Sequence, residues 1–297
     1  MNLLFIANTR LGDAILSTGV LNYYLKKENN LKITVICSPL VKPLFEAFPK
    51  VNKIIAYKKE KRAMHWVKSW RDLDRGYWDL IIDLRNTMLS RVLRKKSILI
   101  FKGDKTLQHR VQSLSRLIFK NQKILKPKVF IKKKYSLEAK KILSNINNNQ
   151  PIIAIAPSTN WRRKNWPINK FSYLLTRLTS LRGPLPMAKL ILLGSEYDKK
   201  INIELEKLLS DKDVLNLAGK INIMTVGSVI NKCKLFIGND SGLMHLSAAL
   251  GRPTLGLFGP SQDIIYRPWG KKCDFIRTPE SYEELVLTKG YNTHDPS

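Results

Sequence analysis

A strand, a polar turn, a short apolar helix and a second strand follow one another late in the chain, and they constrain the fold more than any other segment. The apolar run 235–237 predicts a short buried strand. Residues 239–242, Asn-Asp-Ser-Gly, tolerate the backbone angles of a tight turn. Residues 243–250 predict a small helix that ends at Gly251, and 254–258 predict the next strand.

A unit of this kind directs free backbone N–H groups and the positive end of a helix dipole at whatever lies above the turn, so it predicts an anion site, above all for phosphate. Asp240, Ser241 and His245 add side chains that can bind hydroxyls or phosphate oxygens. His245 follows Ser241 by four residues, which places both at the same end of the helix. Alternatively, His245 is a core histidine that is bonded to a neighbouring carbonyl.

The rest of the chain alternates between strand-like and helix-like segments. The strands lack internal polar alternation, which predicts parallel α/β sheets covered on both faces. A polar stretch at 145–151 is the clearest linker. We therefore expect an N-terminal Rossmann-like domain at 1–148, a C-terminal one at 151–280, and a terminal helix and tail at 281–297, with the two domains facing each other across a cleft. The predicted strands are 3–7, 33–37, 53–56, 80–84, 97–101, 152–156, 190–193, 235–237 and 254–258. The predicted helices are 13–27, 41–48, 62–73, 171–181, 201–209, 243–250 and 281–287.

The chain is strongly basic: 52 Lys and Arg against 23 Asp and Glu give a net charge of +29. Such a charge predicts attraction to nucleic acid, an anionic membrane or an acidic glycolipid, although it can also reflect composition alone. Basic runs lie at 58–62, 94–96 and 132–134, in the first half. Nucleic-acid binding is disfavoured, because no recognition motif and no aromatic residues interleaved with basic ones are present.

Several other classes are disfavoured. The three cysteines lack CxxC spacing, which argues against a zinc site or disulfide framework and fits a reducing cytosol. The apolar run 3–7 is too short for a signal peptide, and no segment approaches the ~18 apolar residues of a membrane span. A cytoplasmic protein, soluble or peripheral, is expected. Walker A, GxGxxG and HExxH motifs are absent, and the Asp72–Asp74 pair lies in a charged helix, which indicates surface charge.

A second candidate site follows the first strand, at residues 9–13. Gly12 allows the backbone to turn or approach a ligand closely. Asp13 would lie at the start of the first helix, where ligands of open α/β sheets bind. Its carboxylate can act as a general base toward a hydroxyl, or it can simply cap the helix.

A third candidate site follows the strand 152–156. Ser158, Thr159 and Lys164 are residue types that suit phosphate binding. The alternative is a solvated basic loop in which Trp166 anchors the core and Pro167 begins the next helix. The local sequence leaves both interpretations open.

Taken together, these sites make the chain resemble glycosyltransferase family nine, the bacterial heptosyltransferases and their relatives, in order and over nearly the whole chain. The most specific match is to the family pattern NDSGxxHxAAAxGxPxxxxFGP, although Leu243 stands where many members have proline. The matching segments are Arg10-Leu11-Gly12-Asp13, Tyr77 to Leu84, Lys164-Asn165-Trp166-Pro167, and Asn239 to Pro260.

The resemblance implies a GT-B fold that binds a nucleotide-diphosphate sugar on its C-terminal domain and performs an inverting, metal-independent transfer without a cofactor. It implies that Asp13 is the general base, with Arg10 and Gly12 on the acceptor side. Lys164 and the amides of Ser241 and Gly242 would bind the donor phosphates and stabilise the leaving group. The other donor-side positions that the resemblance implies are Ser158, Thr159, Asp240, His245, and either Glu196 or Asp198 at the ribose.

The resemblance also implies the partners. We expect heptose transfer from ADP-heptose to a lipopolysaccharide-core or related envelope acceptor, which is an anionic glycolipid, and peripheral contact with the cytoplasmic face of the inner membrane. A relative that binds nucleotide sugar or glycolipid with little catalysis is the alternative, and a basic nucleic-acid-binding protein is the more remote one. The basic runs of the first half fit an anionic acceptor, and they also fit solvated surfaces.

Overall fold

A computed structural model describes residues 1–58, 64–73, 76–103, 106–120, 123–147 and 149–287. The chain divides into two compact units, Met1–Phe130 and Ile131–Ser297. Each unit has its own parallel sheet with helices between successive strands. Both units therefore have the Rossmann-like plan that the alternating pattern predicts.

The first unit has a five-stranded sheet in the order β3-β2-β1-β4-β5, and all four pairings are parallel. Its central strand is apolar and fully buried from Leu3 to Ile6, as expected when both faces of a sheet are covered. The strands are β1 (Asn2–Ile6), β2 (Lys32–Cys37), β3 (Val51–Ala56), β4 (Trp78–Asp83) and β5 (Lys95–Ile100). The helices are α1 (Leu11–Lys27), α2 (Lys42–Glu46), α3 (Met64–Asp72), α4 (Met88–Val92) and α5 (Arg110–Ser115).

The second unit has a six-stranded sheet in the order β11-β10-β9-β6-β7-β8, again parallel at every pairing. The chain reverses its direction of winding between β6 and β9, which makes this the switch point where open α/β sheets bind ligands. The strands are β6 (Ile152–Ala156), β7 (Lys189–Leu192), β8 (Val214–Asn216), β9 (Leu235–Asn239), β10 (Thr254–Phe258) and β11 (Cys273–Arg277). The helices are α6 (Lys133–Ile142), α7 (Ile168–Thr179), α8 (Lys199–Leu208), α9 (Ile223–Ile230), α10 (Gly242–Ala249), α11 (Asp263–Tyr266) and α12 (Tyr282–Leu287).

The division between the units lies earlier than the predicted boundary at 148. The reason is α6, which packs against α9 of the second unit. Thr225 Oγ1 in α9 donates a hydrogen bond of 2.6 Å to Glu138 Oε2 in α6. The polar stretch 145–151 does separate α6 from β6, but it joins two elements of one unit.

The structure also tests the expectations about surface charge and about membrane-spanning helices. Arg94, Lys132 and most of their basic neighbours are exposed, as is Asp72 at the end of α3. No helix within the described ranges is both long and apolar enough to cross a bilayer. Five predictions fall at least partly outside those ranges: the basic residues 59–62, the start of the helix 62–73, Asp74, the boundary residue 148, and the tail 288–297.

Two helical glycines have opposite surroundings. A Cβ on Gly19 in α1 would lie 2.0 Å from the backbone oxygen of Leu125, so the crossing segment must move. A Cβ on Gly227 in α9 would meet only the side chains of Leu246 and Ile131, at 3.5 Å and 3.7 Å.

We expect Gly19→Ala to destabilise the protein by about 1–3 kcal/mol through overpacking. We expect Gly227→Ala to be neutral or to stabilise by about 0.5–1 kcal/mol, because alanine is the better helix former. Thermal unfolding of the two variants beside the parent protein measures both effects. Equal melting temperatures for the two variants would contradict the close approach at Gly19.

Candidate functional site

Segments that follow β6 and β9 form the candidate site of the second unit, and Asn239 joins them. Asn239 is the last residue of β9 and is fully buried. Its Nδ2 donates to the Pro157 carbonyl at 2.7 Å, and its Oδ1 accepts from the Trp166 backbone N–H at 3.1 Å. One amide therefore fixes both ends of the loop that contains Ser158, Thr159 and Lys164.

Lys164 and Asp240 form an ion pair at the centre of this site. The Lys164 Nζ lies 2.5 Å from Asp240 Oδ2, and the two side chains are 20% and 6% exposed. Lys164 ends a 3-10 turn, Arg162–Lys164, and its ammonium also lies 5.3 Å from the centroid of the Trp161 ring. Because the pair is largely removed from solvent, its charges act on a nearby ligand with less screening than surface charges do.

The N-terminus of α10 lies directly after Asp240. Ser241 is the N-cap residue, yet its side chain makes no capping hydrogen bond. The first-turn amides, beginning with Gly242, have no acceptor within the helix and point beyond its end. His245, one turn later, is 4% exposed, and its Nε2 lies 4.0 Å from Asp240 Oδ1. The motif therefore places an ammonium, an imidazole and a helix N-terminus around one carboxylate.

The predicted hydroxyl residues after β6 have different environments. Thr159 Oγ1 donates to the Trp161 carbonyl at 2.7 Å and accepts from the Trp161 N–H at 3.2 Å, so it shapes the local turn. Ser158 is 7% exposed, and its Oγ has no hydrogen-bond partner among the described residues. Trp166 packs edge-on against Phe171 at 5.0 Å between ring centroids. The core-anchor interpretation of Trp166 and a ligand-binding loop are thus compatible.

Glu196 and Asp198 lie in a short 3-10 turn after β7, and their carboxylates differ in hydrogen bonding and exposure. The Asp198 Oδ2 accepts from the Ser195 N–H and from its hydroxyl, both at 2.6 Å. The Glu196 side chain is 66% exposed and pairs with Lys199 at 2.5 Å. Glu196 also lies beside Gly219, where φ is +69° and a Cβ would approach Glu196 Oε2 to 2.6 Å. Asp198 caps the turn, and Glu196 faces the neighbouring loop.

The candidate site of the first unit lies at the start of α1. Arg10 is the N-cap residue, so Asp13 is not the cap but belongs to the first helical turn, after Gly12. The Asp13 Oδ1 lies 4.0 Å from Arg110 Nε, with both side chains about one-fifth exposed at 21% and 19%. Arg110 begins α5 and belongs to no motif, so only the structure relates it to Asp13.

The end of β4 contributes a buried aspartate, and the arginine that follows it contacts aromatic residues after β3 and in α3. Asp83 is fully buried and accepts hydrogen bonds from the N–H groups of Arg85 and Thr87 at 2.8 and 2.6 Å. The Arg85 guanidinium donates to Tyr57 Oη at 2.6 Å and lies 4.9 Å from the Trp66 ring centroid. Burial raises the pKa of Tyr57, and the charge of Arg85 partly opposes this. Asp83 therefore shapes the turn that presents Arg85.

Within the described ranges, no three His, Cys, Asp or Glu side chains lie close enough to hold a metal ion together. Asp240 and His245 are near each other, but the third group beside them is the ammonium of Lys164. In this structure the ammonium of Lys164 is the cation beside Asp240.

Comparison with known proteins supports the family resemblance. Residues 97–290 match the model of glycosyltransferase family 9 (heptosyltransferase). Lipooligosaccharide heptosyltransferase 2 of Haemophilus influenzae is 26% identical, over 98% of this chain and 92% of that protein.

Two solved structures share the fold. A family 9 glycosyltransferase from Veillonella parvula has a TM-score of 0.81 at 19% identity, covering 98% of this chain and 92% of that one. The E. coli ADP-heptose lps heptosyltransferase II has a TM-score of 0.76 at 21% identity, covering 97% and 95%. The prediction of a GT-B fold built from two Rossmann-like domains is confirmed.

The hydrogen bonds of Asn239 generate a test. Asn239→Ala would leave the Pro157 carbonyl and the Trp166 N–H without their partner, so we expect a loss of about 2–4 kcal/mol in unfolding free energy. Asn169→Ala is the control, because Asn169 is an exposed asparagine whose side chain accepts from the next residue's N–H, and it should change stability by less than about 0.5 kcal/mol. Urea unfolding gives both values. Similar stabilities of the two variants would show that Asn239 does not hold the loop.

Proposed function

Since this chain belongs to glycosyltransferase family 9, we propose that it transfers heptose from ADP-heptose to a lipopolysaccharide-core acceptor, with inversion at the anomeric carbon. The arrangement of Lys164, Asp240 and the α10 N-terminus is the observation that carries the proposal, because an ammonium beside a free helix N-terminus suits the phosphates of a nucleotide sugar. The names of the H. influenzae and E. coli relatives support the sugar, the nucleotide and the acceptor class.

The donor site works mainly through charge. Lys164 and the first-turn amides of α10 present positive potential where the diphosphate binds. Negative charge increases on that diphosphate as its bond to the sugar breaks, so these groups stabilise the transition state more than the ground state. Asp240 keeps Lys164 in place, and His245 lies within reach of the same region.

Asp13 is the proposed general base. Its carboxylate takes the proton of the acceptor hydroxyl while the acceptor oxygen forms a bond to the anomeric carbon. The bond from that carbon to the phosphate oxygen breaks, and its electron pair leaves with the nucleoside diphosphate. Arg110, 4.0 Å away, helps to hold the carboxylate in one orientation.

The transfer is proposed to need no metal. In the donor site the ammonium of Lys164 and the helix N-terminus provide the positive charge that Mg²⁺ provides in other sugar-nucleotide enzymes. Turnover that is equal with EDTA and with Mg²⁺ would agree with this part of the proposal. A strict requirement for Mg²⁺ would refute it.

The acceptor is an anionic glycolipid, and the net charge of +29 favours such a partner and the anionic cytoplasmic leaflet. Each basic group near that surface contributes about 1 kcal/mol. Exposed basic residues within 94–96 and 132–134 can provide such contacts. We therefore propose that the protein works in the cytoplasm, in peripheral contact with the inner membrane.

Asp13→Asn tests the base. We expect heptose transfer to fall by about 10²–10⁴-fold, the usual contribution of a general base, while the Kd for ADP stays within about twofold. Asp72→Asn is the matched control, because Asp72 is an exposed aspartate of the same unit. Radiolabelled transfer and calorimetric titration measure the two quantities. Undiminished turnover by Asp13→Asn would remove Asp13 from the mechanism.

A pair of variants tests whether Glu196 or Asp198 binds the ribose hydroxyls of the donor. We expect Glu196→Ala to raise the Kd for ADP by about tenfold, the effect of one charged hydrogen bond. The same variant should bind 2′,3′-dideoxy-ADP as the parent does, because that ligand lacks both ribose hydroxyls.

Asp198→Ala should instead lower the melting temperature, since it removes a cap worth about 1 kcal/mol, and should change the Kd for ADP by less than about threefold. The reverse pattern, with loss of ADP binding confined to Asp198→Ala, would assign the ribose to Asp198.

A further inference from the structure

Three neighbouring strands of the second sheet are each followed by a serine whose hydroxyl is buried. Ser158 follows β6, Ser241 follows β9 and Ser261 follows β10, and these strands are adjacent in the order β10-β9-β6. Ser158 and Ser261 are 7% and 6% exposed. Among the described residues, none of the three Oγ atoms has a hydrogen-bond partner. A buried hydroxyl without a partner is costly, so three at one sheet edge call for a common cause.

The N-terminus of α10, which follows Ser241, is not capped by its N-cap side chain. α10 has eight residues, and its N-cap Ser241 leaves the first-turn amides without a side-chain acceptor. A serine at this position ordinarily accepts a hydrogen bond from one of those amides. The uncapped helix and the unpartnered hydroxyl of Ser241 are one observation, and the unpartnered hydroxyls of Ser158 and Ser261 are independent of it. An anion that binds at this edge explains both.

The Ser261 loop lies beside the other donor-site elements. β10 passes under the first turn of α10, where a Cβ on Gly256 would lie 2.6 Å from Met244 Sδ. Farther along, a Cβ on Gly259 would be 3.8 Å from the backbone oxygen of Arg163, in the turn that ends at Lys164. Ser261 follows Gly259 by two residues, and its N–H donates to the Gly259 carbonyl at 2.8 Å.

Arg277, at the end of β11, holds this loop in place. Its guanidinium forms an ion pair with Asp263 and donates to the Gly259 carbonyl at 3.4 Å and the Glu280 carbonyl at 3.0 Å. Ser261 lies between the two anchored residues, Gly259 and Asp263. Its position is therefore set by backbone and charge contacts, and its hydroxyl is left available.

We propose that Ser261 is a third hydroxyl ligand of the donor diphosphate, donating a hydrogen bond from Oγ to a phosphate oxygen on the β10 side of the site. The proposal rests on the proposed function and adds a residue to that site. Ser158 and Ser241 approach the diphosphate from β6 and β9, and Ser261 completes the set from β10. Ser158 and Ser241 lie within two residues of a strand end, and Ser261 lies in a loop whose flanking residues Gly259 and Asp263 are bonded to Arg277.

Ser261→Ala tests this ligand, with ADP as the probe. We expect the Kd for ADP to rise by at least about tenfold, the effect of losing one hydrogen bond to a charged group. Adenosine, which lacks phosphate, should bind the variant and the parent equally. The melting temperature of the ligand-free variant should equal or exceed that of the parent, because the variant buries one unpartnered polar atom fewer. Ser210→Ala, at an exposed serine of the same unit, is the control.

Each outcome has a distinct meaning. Weaker ADP binding with undiminished thermal stability supports the assignment. Unchanged ADP binding by Ser261→Ala overturns it and leaves the proposed function intact. Weaker binding of both ADP and adenosine, together with a lower melting temperature, also overturns it, because Ser261 would then be a structural residue. Failure of the parent protein to bind ADP would instead refute the proposed donor.

Discussion

The donor site depends on a single buried amide. Asn239 ends β9 and bonds both ends of the loop that follows β6, so the two strands that flank the switch point share one rigid edge. Lys164 reaches Asp240 only because this loop returns to the sheet at Trp166. An amide can do this because it donates and accepts at once, whereas the carboxylate of aspartate, when ionised, only accepts. The proposed phosphate site of this unit therefore depends on hydrogen bonds of an uncharged side chain.

The donor site could be predicted from the sequence to a large extent, because its residues lie in short motifs whose spacing the strand ends enforce. Residues 235–258 predict a strand, a turn, a helix and a strand, and the structure contains them with shifts of at most two residues at their ends. The core strands could also be predicted from the sequence, since a continuous apolar run is typical of a strand covered on both faces. The sequence does not predict the individual roles of Asn239, Thr159 and Asp198. Only their hydrogen bonds show that these side chains stabilise the local structure.

Other elements were missed for physical reasons. α6 contains mostly lysine and polar residues and buries only Tyr135 and Ala139, so the sequence offers few apolar residues from which to predict it. β11 is an edge strand whose burial alternates between half-buried and exposed, unlike the continuous runs of the interior. Arg110 and Ser261 belong to no recognisable pattern. The neighbours of Arg110 along the chain say nothing about Asp13, which Arg110 approaches only through the fold.

The candidate sites of the two units are built from different kinds of groups. In the second unit, the proposed donor-site groups are backbone amides, buried hydroxyls and one ion pair, and such groups must lie at fixed distances from strand ends. The first unit instead offers partly exposed side chains such as Asp13, Arg85 and Arg110, positioned by separate elements. Partly exposed arginines can bind different anionic glycans after small changes in neighbouring loops. The class of donor can thus be predicted from a short motif. The choice of acceptor is proposed to depend on side chains that come close together only when the chain folds.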